Sequence, residues 1–516
     1  MGLFKKFATV ASGTMASRLF GFLREMLMAA SLGTGPIADA FNAAFRFPNS
    51  FRRLFAEGAL SSAFVPLFTK HIENKGIDNA RDFASDVFGV LLSALLALTT
   101  LALIFMPILV RYIIAPGFVN DPIKYNATVH FAFIMFPYLA CMSLTAIISG
   151  MLNSMNRYFA AAIAPIFLNA ILIGVLIYSY YYKLNYWKIG LYLSEAVLIA
   201  GITQLLVVYI SACRANIRIK LKLPKINSEI RKMLSLAVPA AISGGITQIN
   251  LLINTSIAST DSGAISSLAY ADRLYQLPLG IIGISVGTVL LPELSKALRS
   301  NNTEHTTNIQ HRSIEFALFL ALPASIALIG LSEPIIRLLL EHGNFNADST
   351  IRVAHLLKIY GIGLPSFILI KALIPNYFAH QDTKTPLRFA AIAVAINICL
   401  AFSLFPYLSA YGIAIAEITA SWLNCTLLFL TLVKRKKFII KKLMFVRIAK
   451  FLLSSLLMGI FLIYSSRYFA YNLSNESSLT IRIETNLLII STAILLYFLF
   501  VLALRAVNIK SFKGKE

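Results

Sequence analysis

Five arginines lie in an N-terminal segment that is otherwise apolar enough to span a lipid bilayer: Arg18, Arg24, Arg46, Arg52 and Arg53. A charged side chain at the middle of a bilayer costs roughly 2.5–3.5 kcal/mol, so five that faced lipid would cost on the order of 15 kcal/mol. We therefore expect them to face a protein-lined, water-filled cavity. Because the guanidinium group matches the geometry of carboxylates and phosphates, this cavity predicts an anionic cargo.

The second apolar stretch carries polar residues at intervals of three or four, the spacing of one helical face: Asp39, Asn42, Arg46, Asn49, Arg53 and Glu57. Pro48 is expected to kink this helix. We interpret one group as candidate substrate-binding residues: Arg18, Arg24, Asp39, Asn42, Asn49 and Arg52. A second group is assigned supporting or gating roles: Arg46, Arg53 and Glu57.

Structural roles are open for several of these residues. Arg53 and Glu57 stand four positions apart and could form an ion pair near one end of the helix. Asp39 could cap a helix end or serve as a counter-ion. Arg18, Arg24 and Arg52 could pair with acidic neighbours such as Glu25, although the first two apolar stretches hold too few carboxylates to neutralise all five arginines.

The second half of the chain holds fewer intramembrane charges. Arg273 is predicted to join in binding the anion, with the adjacent Asp272 as counter-charge, and a purely structural pair is the alternative. Lys371 is expected either to line the cavity or to snorkel towards the membrane surface. Glu195 and Glu417 are single carboxylates in apolar stretches, and they could be protonated, packed or part of an ion site.

The overall composition indicates the environment of these residues. A soluble protein would carry about 25% charged residues. This chain of 516 residues carries 13%, with 58% hydrophobic residues and a mean hydropathy of +0.75. It is therefore predicted to be a polytopic membrane protein. Fourteen apolar stretches reach spanning length, centred near residues 18, 45, 98, 138, 170, 200, 245, 280, 322, 365, 395, 422, 455 and 495.

The basic residues of the loops indicate the orientation. If the N-terminus with Lys5 and Lys6 is cytoplasmic, loops on that side hold most of the 46 Lys and Arg residues. This is the positive-inside pattern, and an even number of spans places both termini in the cytoplasm. The net charge of +23 is therefore attributed to topology and to anionic lipid head groups rather than to nucleic acid.

Four short motifs recur in the same order in the two halves of the chain. The matched positions are 45–48 with 275–278, 66–70 with 292–296, Pro137 with Pro365, and Asn169 with Asn397. About six spans separate the copies, and an even number makes the repeats parallel. We predict an all-α polytopic membrane protein in which two parallel six-helix lobes surround a central cationic cavity, followed by two C-terminal helices. The predicted divisions are 1–213 (first lobe), 214–232 (cytoplasmic basic linker), 233–435 (second lobe) and 436–516 (two additional helices).

Basic and apolar residues alternate in the linker, as in the run from Arg218 to Leu223. One interpretation is a solvated loop that obeys the positive-inside rule. The other is a segment that lies on the inner leaflet, attracted by anionic lipid at roughly 1 kcal/mol per basic residue.

The sequence does not indicate an enzyme. It contains no Gly-x-x-x-x-Gly-Lys phosphate loop and no His-Glu-x-x-His zinc motif. The four cysteines fall in or beside apolar stretches and are interpreted as packing residues. We expect no metal and no cofactor, and transport would then depend on ion gradients or on the membrane potential.

Several short runs form one ordered set along the chain: Arg18-Leu-Phe-Gly-Phe-Leu-Arg24-Glu25, Asp39-Ala-Phe41, Phe47-Pro-Asn49, Arg52-Arg-Leu-Phe-Ala-Glu57-Gly-Ala59, Val65-Pro66, Tyr270-Ala-Asp-Arg273-Leu274 and Gln381-Asp-Thr-Lys-Thr-Pro386. Together they closely resemble the MurJ (MviN) family of lipid II flippases. The resemblance covers essentially the whole chain, and it is specific because the N-terminal block is dense and ordered.

This resemblance implies membership of the multidrug/oligosaccharidyl-lipid/polysaccharide exporter superfamily. The implied cargo is lipid II, the undecaprenyl-diphosphate-linked peptidoglycan precursor. It would move from the cytoplasmic to the periplasmic leaflet of the bacterial inner membrane by alternating access, for cell wall biosynthesis. The two C-terminal helices would form a groove for the lipid tail. The residues implied as essential are Arg18, Arg24, Arg52 and Arg273, with Asp39 also implicated.

The expected partners are lipid II and membrane lipids, and the expected oligomeric state is a monomer. The membrane potential is the expected driving force, with the coupling ion unassigned. Relatives often carry Glu three residues after the arginine of the second lobe, where this chain has Gln276. A flippase for another polyprenyl-diphosphate glycan is an open alternative. A cation-coupled multidrug antiporter is another, although it would need a carboxylate-rich cavity, which the arginines oppose.

Overall fold

The computed structural model describes residues 3–53, 61–217, 219–299 and 303–506, and these ranges contain helices and no strand. The long helices are Leu3–Leu32 (α1), Pro36–Arg52 (α2), Ser61–Ile104 (α3), Pro122–Ser154 (α4), Phe159–Tyr181 (α5), Tyr186–Arg214 (α6), Ser228–Ala258 (α7), Ala264–Arg299 (α8), Thr303–Gly330 (α9), Ala347–Ala379 (α10), Lys384–Leu408 (α11), Ala410–Lys434 (α12), Lys442–Tyr468 (α13) and Leu479–Ala503 (α14). Short helical pieces lie between them, at Met106–Leu109, Val110–Ile114, Pro116–Asn120, Ser332–Leu339 and Ala470–Leu473.

Each of the fourteen predicted stretches coincides with one long helix. Within the described ranges, 10 helices are long and apolar enough to cross a membrane, and the bent helix α7 would make 11. The other three, α1, α2 and α8, carry the intramembrane charges on which the functional prediction rests. The all-helical membrane fold is confirmed, while the count of fourteen spans stays a prediction.

Local sequence sets the breaks and the ends of these helices. α4 consists of Pro122–Met135 and Tyr138–Ser154 and is interrupted at Pro137, which has no N–H to donate. α3 changes direction at Gly76, whose φ of 78° is a conformation that glycine adopts without steric cost. Side chains accept first-turn N–H groups at several N-termini, and these caps are Asp121, Asn185, Asn227, Asn346 and Ser478.

Residues 1–266 form one compact unit. Its main hydrophobic core joins α3, α4, α5, α6 and α7, with Phe64, Phe68 and Met151 fully buried. α1 packs along α5 and approaches it closely at Gly21, where an added Cβ would lie 3.5 Å from the Asn169 amide nitrogen. This contact brings Arg24 of α1 to Asn169 of α5.

Residues 267–516 form the second compact unit. The last two helices pack there against α9, and the Tyr497 hydroxyl donates to the Phe319 carbonyl at 2.6 Å. The division at residue 266 separates two compact units and does not test the predicted lobes. The lobe boundaries are derived from the internal repeat, and they stay a prediction.

The turn between α10 and α11 is held by Asp382. Its carboxylate accepts the Thr385 hydroxyl at 2.7 Å, the Thr385 N–H at 3.0 Å and the Arg435 guanidinium at 2.6 Å. The Thr385 hydroxyl is the largest of the influences that lower the pKa of Asp382 to about 2, and the Arg435 charge adds to it. The turn is therefore tied both to the start of α11 and to the end of α12.

We expect this turn to make stability depend on pH under acid conditions. The pKa of Asp382 is lower in the folded chain than its ordinary value of 3.8, so its stabilising contribution is complete above that value. The contribution is lost as the pH falls through about 2. Melting temperatures of purified protein across this window should therefore fall less steeply for Asp382→Asn than for the wild type. Equal slopes in the two proteins would contradict the assignment.

Candidate anion-binding site

Arg18 lies on α1 beside a cleft in the first unit. The cleft has a volume of about 340 Å³ and is lined by Ser17, Arg18, Asn153, Tyr158, Ala161, Ala162 and Pro165. Among the described residues the Arg18 guanidinium has no hydrogen-bond or ion-pair partner, and the residue is half-buried. The buried side-chain oxygen of Asn153 also lacks a partner there. The unpaired Arg18 guanidinium suits an anionic group that is not part of the protein. The Asn153 oxygen is an acceptor and would instead take a hydrogen-bond donor of the same ligand.

Arg24, by contrast, is engaged within the protein. The residue is 7% exposed, and its guanidinium forms an ion pair with the adjacent Glu25 and donates to the Asn169 side-chain oxygen at 3.0 Å. Asn169 in turn donates to the Ser17 carbonyl at 3.1 Å. The alternative pairing with Glu25 is therefore present within α1. The hydrogen bonds of Asn169 with Arg24 and Ser17 link α1 to α5. The Arg24 Nε is buried without a partner among the described residues, so this guanidinium keeps one donor for a ligand or water.

The polar face of α2 is largely engaged in contacts with protein groups. The Arg52 Nε donates to the Asn49 side-chain oxygen at 3.0 Å, and the Asn42 amide donates to the Ala38 carbonyl of its own helix at 2.9 Å. Arg46 donates to the Thr255 hydroxyl at 3.0 Å and so joins α2 to α7. Arg53 follows the last residue of α2, and Glu57 lies outside the described residues, so their predicted ion pair stays a prediction.

Asp39 has no exposed surface and clamps the turn between α7 and α8. Its two carboxylate oxygens accept the Gly263 N–H at 2.6 Å, the Ser266 N–H at 2.9 Å and the Ser266 hydroxyl at 2.7 Å. Gly263 directly precedes α8 and Ser266 lies in its first turn, where a carboxylate satisfies free N–H groups and the positive end of the helix dipole. The structure thus gives Asp39 the capping role that the sequence left open, with no surface for a ligand to contact in this conformation.

Lys124 completes the Asp39 cluster. Its ammonium lies 3.9 Å from the Asp39 carboxylate, donates to the Ser262 hydroxyl at 2.9 Å and stands 5.4 Å from the centre of the Phe118 ring. The sequence analysis assigns no role to Lys124. The one available signal was that a buried aspartate needs a counter-charge, but no pattern in the sequence identifies a partner so distant along the chain.

In the second unit, Asp272 accepts a hydrogen bond from Gln276 at 2.5 Å, one helical turn along α8. The Gln276 amide is therefore a donor to a carboxylate. A glutamate in that position would place two carboxylates together. Arg273 is half-buried on the same helix and has interactions within the protein.

The remaining charged candidates have different surroundings. Glu417 accepts a hydrogen bond from the buried Tyr360 hydroxyl at 3.2 Å, and it is therefore packed against a donor. Lys371 is exposed, with its aliphatic stem over Gly283 of α8, where an added Cβ would lie 2.6 Å from the lysine Cδ. Glu195 is exposed on α6.

One further motif, Gly283-Ile-Ser-Val-Gly287, matches the Gly-x-Ser-x-Gly spacing of hydrolase nucleophiles. That chemistry requires a sharp turn between a strand and a helix, which exposes the serine. Here the motif lies inside α8, with helix on both sides. It therefore gives no support for a hydrolase.

Comparison with known proteins gives one consistent result. The sequence model of the family described as "Lipid II flippase MurJ" matches residues 28–483. The protein described as "Probable lipid II flippase MurJ" in Rhizobium meliloti (strain 1021) is 55% identical over 498 residues, covering 96% of this chain and 93% of the relative. The protein of the same description in Rhizobium tropici is 52% identical over 509 residues, covering 99% and 96%.

Solved structures agree with the sequence relatives. The structure described as "Lipid II flippase MurJ, inward closed conformation" superposes with a TM-score of 0.78 at 29% identity, covering 96% of this chain and 98% of that one. An inward-facing multidrug resistance MATE family transporter of the MOP superfamily superposes with a TM-score of 0.70 at 15% identity, which is a likeness of fold alone. The predicted resemblance is confirmed, and the chain belongs to the MurJ family of lipid II flippases.

Proposed function

We propose that this protein translocates lipid II from the cytoplasmic to the periplasmic leaflet of a bacterial inner membrane by alternating access, and supplies peptidoglycan synthesis. Besides family membership, one observation carries this proposal. Arg18 lies on an apolar helix beside a cleft of about 340 Å³, and its guanidinium has no partner among the described residues. A diphosphate offers the charge and the oxygen geometry that this group lacks within the described protein. No cofactor and no chemical reaction are assigned to the protein.

The arginines are given different roles. Arg18 binds the diphosphate directly, since its guanidinium has no partner among the described residues. Arg52 is half-buried in the same unit and is proposed to contribute further charge to this anion. Arg273, half-buried in the second unit, is proposed as a further arginine that binds the anionic cargo. Arg24 offers its remaining Nε donor and otherwise positions α1 against α5. Asn42 and Asn49 are proposed as secondary polar contacts, with Arg46, Arg53 and Asp272 in support.

The undecaprenyl tail is proposed to stay in lipid beside the last two helices. One exposed face of α14 is apolar and carries Ile494, Leu495, Phe498, Leu499 and Leu502, with Ser491 beside them. Aliphatic and aromatic side chains of this kind suit a polyprenyl chain, which offers only apolar surface. The proposed lobes are residues 1–213 and 233–435, with 436–516 as the tail-binding addition.

The protein is proposed to be a monomer, with both termini in the cytoplasm as the positive-inside pattern predicts. Single cysteines near residues 35, 261 and 475 should then react with an impermeant maleimide added to intact spheroplasts. Cysteines near residues 75, 225 and 440 should react only after permeabilisation. The opposite labelling at two of these sites would overturn the orientation.

The membrane potential is proposed as the driving force. Lipid II carries roughly two negative charges on its diphosphate, and moving one charge across 100 mV is worth about 2.3 kcal/mol, so outward movement would gain up to about 4.6 kcal/mol. Arginines that moved with the cargo would reduce this figure. We expect flipping in proteoliposomes to stop when the potential is collapsed at constant pH gradient, and to continue when only the pH gradient is dissipated.

The opposite result has a defined meaning. Export that persists at zero potential, and fails when sodium or the proton gradient is removed, would replace this account with an ion-coupled cycle. Glu195 and Glu417 would then be the first carboxylates to substitute, because they lie in the apolar helices α6 and α12, which carry none of the candidate arginines.

The cargo itself is tested by depleting the protein and identifying the polyprenyl-linked intermediates that accumulate by mass spectrometry. Accumulation of lipid II on the cytoplasmic side is the expected result. Accumulation of a different polyprenyl-diphosphate glycan would mean that this glycan is the cargo and that the arginines bind its diphosphate. If no such intermediate accumulates and cells instead become sensitive to cationic drugs, the multidrug antiporter alternative would replace the flippase.

A further inference from the structure

The linker between α6 and α7 lies against the middle of α3 along a row of polar contacts. The Lys222 ammonium lies 2.9 Å from the Asp86 carboxylate and 3.2 Å from that of Asp82. The Lys220 N–H donates to the Ser85 hydroxyl at 3.1 Å, and the Asn227 amide donates to Asp86 at 3.0 Å. These contacts determine which side of the linker faces the protein.

Exposure identifies the opposite side of the linker. Leu221 and Leu223 flank Lys222, whose ammonium is held on α3, and both side chains are exposed. They are 76% and 83% exposed, and Ile226 is 66% exposed. Ile217, at the start of the linker, is fully buried in the core of the first unit. The linker therefore presents its aliphatic side chains away from the protein, the reverse of a solvated loop.

The height of the linker relative to the membrane follows from α3. The Lys222 carbonyl lies against Gly89, where any side chain would collide with it. Gly89 stands at the beginning of the apolar part of α3, since only uncharged residues follow it to the end of the helix at Ile104. The linker is therefore level with the membrane–water interface rather than out in solvent.

Charge identifies the partner at this interface. Lys220 and Lys225 are exposed, and among the described residues neither ammonium has an acidic partner. The nearby carboxylates Asp82 and Asp86 are occupied by Lys222. Exposed lysines alternate here with exposed aliphatic side chains, which suits an anionic lipid leaflet. In such a leaflet apolar side chains enter the acyl region and basic side chains contact the phosphates.

We propose that residues 220–226 form a membrane-surface segment that binds anionic phospholipid of the leaflet at which α6 ends and α7 begins. Leu221, Leu223 and Ile226 enter the acyl boundary, and Lys220 and Lys225 contact the phosphates. Lys222 serves a different purpose from its neighbours, because it ties the segment to α3. The segment thus anchors the connection between two long helices to the lipid surface.

The test places an environment-sensitive NBD fluorophore at residue 223. Full-length protein with its four native cysteines replaced carries Leu223→Cys, or Asn74→Cys as the matched control on an exposed site of α3. Each is reconstituted in vesicles of phosphatidylethanolamine and phosphatidylglycerol, or of phosphatidylcholine alone. We expect label at 223 to be blue-shifted and quenched by doxyl-labelled lipid in the anionic vesicles, and label at 74 to remain in water.

A charge variant separates lipid binding from folding. Lys220→Gln with Lys225→Gln removes two ammonium groups without ion-pair partners in the described structure, so the protein should fold normally. Preference for anionic over neutral vesicles should fall about fivefold per lysine. The proposal is overturned if label at 223 is as water-exposed as label at 74 in both vesicles. Protection of label 223 that requires an added soluble protein would overturn it too, in favour of a protein partner.

Discussion

Replacing Asp39 with alanine is expected to destabilise this protein strongly. The change removes the acceptor of three hydrogen bonds at the start of α8 and the carboxylate partner of the buried Lys124. Breaking a buried ion pair by removing one partner costs about 3–5 kcal/mol. Thermal unfolding of purified protein in detergent should show a large fall in melting temperature, and transport should fall with it.

Two further variants separate the contributions to this clamp. Ser266→Ala removes one hydroxyl donor and should cost about 1 kcal/mol. Lys124→Met removes the counter-charge, and combined with Asp39→Asn it should destabilise less than the sum of the two single changes, because both act on one interaction. Additive effects, or a melting temperature of Asp39→Ala equal to that of the wild type, would show that the clamp contributes little.

Arg18 and Arg24 are expected to respond differently to the same substitution. Arg18→Ala should abolish transport while melting temperature and cellular amount stay at wild-type levels, because the guanidinium has no partner among the described residues. A hydrogen bond to a charged group is worth about 1.5–3 kcal/mol, roughly 10- to 100-fold in affinity. Arg18→Lys should recover part of the activity, since lysine keeps the charge but not the planar fork.

Arg24→Ala should instead lower stability together with transport. It removes the guanidinium that neutralises the buried Glu25 and bonds Asn169, at a cost of about 3–5 kcal/mol. Complementation of a depletion strain, with melting temperatures of the same variants, makes the comparison. Full activity of Arg18→Ala would contradict the proposed anion site, and a stable but inactive Arg24→Ala would move Arg24 from a positioning role to direct binding.

Much of the fold follows from composition and spacing. Apolar stretches of spanning length predict helices, because a lipid-exposed backbone must satisfy its own hydrogen bonds. The breaks at Pro137 and Gly76 follow from residues that interrupt a helix or permit unusual backbone angles. The order of motifs from Arg18 to Pro386 was sufficient to identify the family. Each of these signals is local, so the sequence alone could carry it.

The sequence by itself also determined that the arginines of α1 and α2 could not face lipid, because the cost of burying charge in a bilayer depends only on residue type and depth. Only the tertiary structure decided which charged residues of α1 and α2 have partners. Arg24 contacts Asn169, and Asp39 contacts Lys124 and the first turn of α8. Arg18 stays unpaired among the described residues. Helical periodicity tells which face avoids lipid, but the neighbour on that face comes from packing of helices far apart in the chain.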